Sequence, residues 1–446
     1  TSLTFLSWEQ VYSHHLLYGK RMLIINMEAS SHEQNETRRL LIQACRIIME
    51  DRWPHEIPMS FDGIGFDENE LETASLQFFD ALIAWGKVID LSVKNVVLSA
   101  KSKDRFESVL DSNPNLEKLS LVNISTHEGG MHFLSRSFFS ANKQVREFTM
   151  DKCKLQSKDT LFLQRLLGVG SLNVLNLRNM NMDETIPRIC PRIAHSTTLE
   201  KLDLSGCRMR KDVQIELFRA LSINKSLKSL ALQNCCIGTS LSQELDNLLL
   251  NHPCLEALDL SSNNIRGETV ALITKSGLEK NISLQRLVLS NNPIGDNGAK
   301  SLVELLISNP TIQYLSLVDC EIWGPGCYVL STGLAEMKGL KELLVDGEME
   351  DYAQDVLQSL QCNMTLRYLW TDRTAYLFHK DRTWRLVEFY LRLNRGKRRM
   401  LVEPGVPISL WPRVLEGISG NPQITYHILR QKPEIIAYNK GWPTGC

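Results

Sequence analysis

Residues that could form a zinc site stand together early in the chain. His127, Glu128 and His132 fall within six residues, and two histidines with a glutamate are the metal and base set of many zinc proteases. That chemistry needs histidines four apart on one helix face, whereas a separation of five turns them about 140° away from each other. Two glycines between them also disfavour a helix. We therefore predict a loop here, with no bound metal and no cofactor.

A second candidate is the acidic, glycine-rich stretch from Asp62 to Asp67. It lacks the later glutamate of a calcium-binding EF-hand loop and the strand-to-helix setting of a dinucleotide site. The sequence also contains neither the Gly-x-x-x-x-Gly-Lys-Ser/Thr motif for phosphates nor the Gly-x-Ser-x-Gly motif of acyl transfer. We predict a connecting turn and assign no catalytic residue.

The pattern that dominates the chain is a frame of three apolar residues, Leu-x-x-Leu-x-Leu, which recurs at a step near 28 residues. Repetition at a fixed period of this length is typical of solenoid proteins, in which each unit contributes one strand and shares its core with its neighbours. The frames begin at Val93, Leu116, Val145, Leu172, Leu199, Leu227, Leu255, Leu284, Ile312, Leu340 and Leu366.

Polar or thiol side chains follow most frames at a fixed distance. An Asn or Cys at that position can satisfy backbone groups that a sharp turn leaves without partners, so we predict that Cys153, Cys207, Cys235 and Cys320 are buried turn residues and not ligands or nucleophiles. Three Asn-x-Ser/Thr sequons immediately precede a frame, which favours a polar turn into the strand over glycosylation. Those asparagines are Asn224, Asn281 and Asn363.

Between frames the apolar spacing becomes helical: Ala299, Leu302 and Leu306 share one face. The stretch from Ile294 to Leu302 resembles the repeat of ribonuclease-inhibitor-like leucine-rich-repeat proteins, a long-repeat type also found in Ran GTPase-activating proteins and in the sensor arms of NOD-like receptors. This resemblance covers about residues 93–372. It implies an α/β leucine-rich-repeat horseshoe solenoid with a parallel β-sheet inside and helices outside.

The two flanks depart from the repeat. Residues 1–92 contain helical patterns at about 36–50 and 70–85, which predict an N-terminal cap before a solenoid of about eleven repeats at 93–374. Residues 375–446 contain three more helical patterns, at about 382–393, 412–418 and 422–430, and are expected to form a C-terminal cap or extension. This tail is similar to those of leucine-rich-repeat proteins of diatoms and related algae. Its basic run, Arg392 to Arg399, is interpreted as the charged end of a helix.

Alternation along each strand sends every second side chain to the concave face of the sheet. Acidic groups recur there, and large apolar groups gather late in the chain. Aromatic residues flanked by charges are typical of protein-binding surfaces. The alternative is that the C-terminal helices cover Tyr368 and Trp370 as a cap. The residues predicted to bind a partner are Glu147, Asp151, Arg178, Asp203, Asp259, Arg286, Tyr314, Glu342, Leu344, Asp346, Tyr368, Trp370 and Asp372.

Composition limits the partner and the compartment. A net charge of −1 over 446 residues gives no field that would attract nucleic acid. No apolar run reaches the roughly 18 residues of a membrane span, and no signal-peptide pattern opens the chain. Eleven cysteines without a Cys-x-x-Cys pair indicate free thiols in a reducing, intracellular compartment, cytoplasm before organelle or nucleus.

The sequence therefore predicts a non-enzymatic scaffold that binds a protein or peptide of basic character, and not a small molecule, on its concave face. Two alternatives stay open. The repeat type suggests a GTPase-activating protein that uses Arg178, Arg208 or Arg210. The chain could instead be a structural subunit of a larger assembly that makes contacts through its flanks.

Overall fold

The computed structural model describes residues 23–25, 58–64, 66, 68–127, 130–131, 133–134, 144–371, 381–395, 426 and 429–430. The chain divides into two compact units, Thr1–Cys235 and Cys236–Cys446. Each unit has its own ladder of parallel strands and its own helices. The predicted α/β leucine-rich-repeat solenoid is confirmed.

In the first unit each strand pairs in parallel with the next one along the chain. Parallel neighbours require a return crossover, and helices supply it. The strands are β1 (Leu23–Ile25), β2 (Met59–Asp62), β3 (Asp90–Leu98), β4 (Lys118–Thr126), β5 (Glu147–Asp151), β6 (Val174–Arg178), β7 (Lys201–Asp203) and β8 (Ser229–Ala231). The helices are α1 (Glu68–Trp85), α2 (Ala100–Ser112), α3 (Thr160–Gly168), α4 (Ile186–His195) and α5 (Lys211–Ile223).

The second unit repeats this order, again with consecutive parallel strands. Its strands are β9 (Ala257–Asp259), β10 (Arg286–Val288), β11 (Tyr314–Leu317), β12 (Glu342–Val345) and β13 (Tyr368–Trp370). Its helices are α6 (Ser242–Asn251), α7 (Gly267–Lys275), α8 (Gly277–Lys280), α9 (Gly295–Ser308), α10 (Gly324–Gly333), α11 (Ala353–Cys362) and α12 (Arg382–Arg395), and a 3-10 helix spans Gly347–Tyr352.

The frames from Leu116 onward have their apolar positions buried, as predicted. The frame placed at Val93 is wrong: it begins five residues earlier, at Val88, because Leu91 pairs with Leu119 and Val93 with Leu121. Val88, Leu91, Val93 and Val96 are all buried. The apolar run over 88–98 offers side chains at both registers, and only the neighbouring strand selects between them.

The predicted N-terminal cap, residues 1–92, contains helix α1 near its expected place and also strands β1 and β2. Met59 and Phe61 of β2 occupy the positions that leucines hold in later repeats, since they pair with Leu91 and Val93. The expected helix at 36–50 lies outside the described residues. The limits of the cap at residue 93 and of the extension at residue 375 stay predictions.

The sequence of α12 predicts a helix over 382–393, and the structure confirms it. Asn394 near its end donates to the carbonyl oxygens of Asn363 and Leu366 at 3.1 and 2.8 Å. Asn363 makes equivalent hydrogen bonds to the carbonyl oxygens of Leu334 and Met337, so the same helix-end contact recurs at the end of α12. The expected helix at 412–418 lies outside the described residues, and in 422–430 only residues 426, 429 and 430 are described, as helical.

The three sequon asparagines are buried at helix ends and not glycosylation sites on the surface, as predicted. Asn281 shows how they act: its Nδ2 donates to the carbonyl of Leu249 at 2.7 Å, and its Oδ1 accepts from the backbone N–H of Leu284 at 2.8 Å. The side chain thus closes the helix, starts the strand and ties the repeat to the preceding one.

A second structural device is a left-handed backbone conformation, which one residue adopts within each of β3 and β4 and shortly after each of the strands β5 to β11. Gly206 has φ +72° and Asn234 has φ +53°. Asparagine and glycine tolerate this region better than other residues. The other positions in this series are Asn95, Asn123, Lys152, Asn179, Ser262, Asn291 and Asp319.

Candidate functional site

The strand side chains that do not enter the core form a surface that we term the open face. In β5, Phe148 and Met150 are buried, whereas Glu147, Thr149 and Asp151 are partly exposed. The same alternation places every described member of the predicted partner-binding set on this face, and none of them is buried. Asp372 lies outside the described residues.

On the first unit, the charged residues of the open face pair with one another. Lys118 Nζ lies 2.6 Å from Glu147 Oε1, and Arg178 Nε lies 2.6 Å from Asp203 Oδ2. Asp151 accepts a hydrogen bond of 2.8 Å from Asn179 Nδ2. The charged side chains predicted in this unit therefore already form ion pairs or hydrogen bonds with side chains of neighbouring repeats.

Two of the three arginines considered for GTPase activation form ion pairs with carboxylates. Arg178 is held by Asp203 as described, and Arg210 Nε lies 3.4 Å from Asp212 Oδ1. An arginine that stabilises a transferring phosphoryl group must project toward it. Neither contact favours that role.

Aromatic side chains gather on the open face of the second unit. Strand register places Tyr314 beside Glu342 and Glu342 beside Tyr368. In the next row Leu344 lies beside Trp370. Tyr368 is 50% exposed and Trp370 is 44% exposed, which is unusual for rings of this size. We term Tyr314, Glu342, Leu344, Tyr368 and Trp370 the aromatic cluster.

Arginines hold the two tyrosine rings of the aromatic cluster. The Cζ atom of Arg286 lies 3.4 Å from the centroid of the Tyr314 ring, and Cζ of Arg395 lies 4.9 Å from that of Tyr368. Such cation–π contacts stabilise by about 0.5–2 kcal/mol. They restrict the orientations that the two rings can adopt.

The end of helix α12 thus contacts Tyr368 through Arg395, which Glu388 and the carbonyl of Arg367 also hold. Half of Tyr368 nevertheless remains exposed. Among the described residues, helix α12 therefore covers Tyr368 only in part. The sequence placed Arg395 in a basic run but gave no sign of its contact with Tyr368, because that contact depends on how α12 packs beside α11.

The carboxylates on the open face of the second unit differ in whether they accept hydrogen bonds. Asp259 accepts from the backbone N–H and the hydroxyl of Ser261, and Asp346 accepts from the N–H of Asp319. Among the described residues, the carboxylate of Glu342 has no hydrogen bond or ion pair. In the strand ladder it lies between Tyr314 and Tyr368.

The cysteines after the strands are structural. Cys207 Sγ lies 2.9 Å from the carbonyl of Leu177, and Cys320 Sγ lies 3.2 Å from that of Leu289. Burial raises the pKa of both thiols to about 12 and that of Cys153 to about 11. Such thiols stay protonated at neutral pH and are poor nucleophiles. Cys153, Cys207, Cys235 and Cys320 are buried, as predicted.

Within the part of the chain that the structure describes, no group of three or more His, Cys, Asp or Glu residues is arranged to hold a metal ion. His132 and Glu128 lie outside the described residues, so the arrangement around His127 is not defined. None of the described helices combines the length and the apolar character that crossing a membrane demands.

Comparisons with known proteins bear on the repeat region. A family model described as "Leucine Rich repeat" matches residues 195–212, 251–271 and 280–303. The ribonuclease inhibitor of Sus scrofa is 28% identical over 252 residues, which cover 55% of this chain and 55% of that protein. The inhibitor of Mus musculus is 28% identical over 251 residues, with the same coverage. The chain therefore spans about half the length of these inhibitors.

A protein of another kind shares the same repeats. The "NACHT, LRR and PYD domains-containing protein 3" of Bos taurus is 30% identical over 241 residues, which cover 53% of this chain and 23% of that protein. The similarity therefore concerns a repeat array and not a complete protein.

Proposed function

Because this chain is a leucine-rich-repeat protein of the ribonuclease-inhibitor-like type, we propose that it is a non-enzymatic scaffold that binds a protein or peptide on the open face of its second unit. The aromatic cluster is the observation that supports this proposal most strongly. Exposed aromatic rings on a rigid frame are the side chains that most often dominate protein-binding energies.

The chemistry of the cluster favours a basic partner with an apolar side chain next to its charge. Glu342 has no cation of its own among the described residues, and Tyr314 and Tyr368 lie on either side of it in the ladder. A lysine or arginine of the partner would pair with Glu342, while its neighbour packs on Leu344 and Trp370. The charge would orient the partner, and burial of the rings would supply most of the affinity.

The first unit is less suited to this role. A partner would have to displace Lys118 from Glu147 or Arg178 from Asp203 before it could use those charges. Breaking such pairs removes most of the gain from a new one. We therefore assign Glu147, Asp151, Arg178 and Asp203 to the surface of the frame and restrict the proposed site to the second unit.

The proposal can be tested with a random peptide library displayed on phage and selected on the purified protein. We expect the selected peptides to be enriched in Lys or Arg next to an apolar residue. The same peptides should bind a Tyr314→Ala, Trp370→Ala double variant at least about thirtyfold more weakly, because loss of central aromatic residues commonly costs about 2 kcal/mol or more.

Matched controls separate binding from folding. Leu272→Ala, Ile307→Ala removes two comparably exposed apolar side chains from helices of the same unit, and it should bind like the unaltered protein. Both double variants should keep the melting temperature within a few degrees. Equal binding to all three proteins, or peptides without basic residues, would refute the proposal.

A further inference from the structure

A second exposed aromatic surface lies at the start of helix α10, outside the aromatic cluster. Trp323, directly before the helix, is 59% exposed, and Tyr328 in its second turn is 51% exposed. The ring of Tyr352 lies 6.1 Å from that of Tyr328, centroid to centroid. Gly324 brings the loop against the Tyr352 hydroxyl, since a Cβ there would lie 3.0 Å from it.

The repeat frame does not require these rings. Ile265, Ile294 and Ile322 are equivalent buried residues that end the turn, and the residues after them are Arg266, Gly295 and Trp323. Counting onward along the helices, Tyr328 stands where Lys300 and Ala271 stand. The equivalent positions hold arginine, glycine, lysine and alanine, so the repeat frame itself does not require aromatic residues at 323 and 328.

Carboxylates surround this surface. The sequence from Asp346 to Asp355 has five acidic residues and no basic one. Burial first and then the charges of Glu348, Asp296, Asp346 and Asp351 raise the pKa of Cys327 in α10, which places these groups near the helix. Asp296 also accepts a hydrogen bond of 2.8 Å from the backbone N–H of Trp323.

Four carboxylates of this surface have no ion pair with a cation among the described residues. No described cation forms an ion pair with Glu321, Glu348, Asp351 or Asp355, and Glu321, Glu348 and Asp351 are exposed. We term Trp323, Tyr328 and Tyr352, with these four carboxylates and Asp296, the acidic aromatic patch. Nucleic acids and anionic membranes would be repelled by it because they present phosphates.

We infer that the acidic aromatic patch is a second docking surface, which takes a segment of a partner protein rich in lysine and arginine. The stems of such side chains pack on aromatic rings while their charged ends meet carboxylates. This surface differs from the aromatic cluster of the proposed function in its residues, its place on loops and helices, and its weight of negative charge. It does not depend on the open face being a binding site.

The test uses the intact chain and a fluorescein-labelled peptide that repeats Arg-Lys-Leu four times, with fluorescence anisotropy at physiological ionic strength. Tyr314→Ala and Trp370→Ala are present in every protein tested, so that binding by the aromatic cluster does not contribute. On this background, Trp323→Arg, Tyr328→Lys introduces residues that equivalent positions already carry. We expect this change to weaken binding at least about tenfold.

Two matched variants identify the cause of a loss. Leu272→Arg, Ile307→Lys adds the same charge to exposed positions on α7 and α9, and it should weaken binding much less. Trp323→Gly, Tyr328→Ala removes the rings without adding charge, and it should also weaken binding. Thermal melting monitors the fold of each protein.

The inference is overturned by any of three results: no binding of the peptide, equal binding by the patch variants, or an equal loss in the charge-matched variant. Tighter binding of a Glu-Glu-Leu repeat than of the basic peptide would also overturn it. Concentration-dependent dimers that disappear with Trp323→Gly, Tyr328→Ala would instead assign the patch to a second copy of this chain. Because Tyr314 and Trp370 are replaced in every protein compared, differences between the variants arise from residues 323 and 328 and not from the proposed open-face site.

Discussion

His252 is expected to make the second unit acid-labile. It follows helix α6 at the place where Asn281 and Asn309 follow α8 and α9. Its side chain is only 3% exposed, its Nδ1 accepts from the N–H of Cys254 at 3.4 Å, and its Nε2 has no hydrogen-bond partner among the described residues. Burial without a partner lowers the pKa of His252 from 6.5 to about 4.

The sign and size of the effect follow from proton linkage. Between pH 6.5 and about 4 the unfolded state binds a proton at residue 252 and the folded state does not, so the free energy of unfolding falls as the pH falls. Above pH 6.5 neither state is protonated and the loss vanishes. With about 1.4 kcal/mol per pKa unit, the loss reaches about 2.5 kcal/mol near pH 4.5.

His252→Asn removes the titrating group and keeps an acceptor, since Asn281 Oδ1 accepts from the N–H of Ser283 as His252 Nδ1 does from Cys254. The free energy of unfolding of both proteins is measured in urea at about pH 7.5 and 4.5. The contributions of the other titrating groups are common to both proteins and cancel in the difference between them. The unaltered protein should lose about 2 kcal/mol more than the variant on acidification. A difference below about 0.5 kcal/mol, or a His252 pKa near 6.5 by NMR, would refute the reasoning.

Three further predictions concern the frame. A thiol reagent at pH 8 should modify the exposed Cys236 and Cys362 at once, and the buried Cys207 and Cys320 only after unfolding, as stopped-flow absorbance would reveal. Asn363→Ala should lower the free energy of unfolding by about 2–4 kcal/mol in urea titrations, because it leaves buried backbone groups without partners. Gly206→Ala should cost more than about 1 kcal/mol by the same assay, since φ is +72° and the new Cβ would meet Asn179 Oδ1, whereas Asn234→Gly should be nearly neutral.

The sequence predicts the frame where leucines and turn residues coincide. From Leu116 onward the recurring apolar spacing fixes the register, and in six of the ten frames an Asn or Cys follows at the same distance. At Val93 the spacing admitted two registers, and at Met59 it lacked leucines, so only pairing between strands decides. The buried thiols were predictable because they stand at the same distance after their frames as Asn263 and Asn292 do after theirs.

The sequence predicts on which face of the sheet the candidate residues lie, but not which of their charges are paired with neighbours. Alternation correctly placed Tyr368 and Trp370 outside the core. Whether a carboxylate is paired depends on side chains of adjacent strands and helices. Lys118 pairs with Glu147, whereas Glu342 has no cationic partner among the described residues. The acidic aromatic patch was missed because its rings lie in a turn, a helix and a 3-10 segment that strand alternation does not describe.

The helix-end asparagines bind backbone carbonyls of the preceding repeat and not its side chains. A carbonyl is present whatever residue stands there, so the link between two repeats is indifferent to the identity of their variable positions. We therefore expect that a repeat with different surface residues can replace another one while the asparagine hydrogen bonds to the repeats on both sides are kept. The same backbone frame can therefore carry paired charges on β4–β7 and exposed aromatic rings on and near β11–β13. For the same reason, whole repeats of this array could be transplanted to engineer new surfaces.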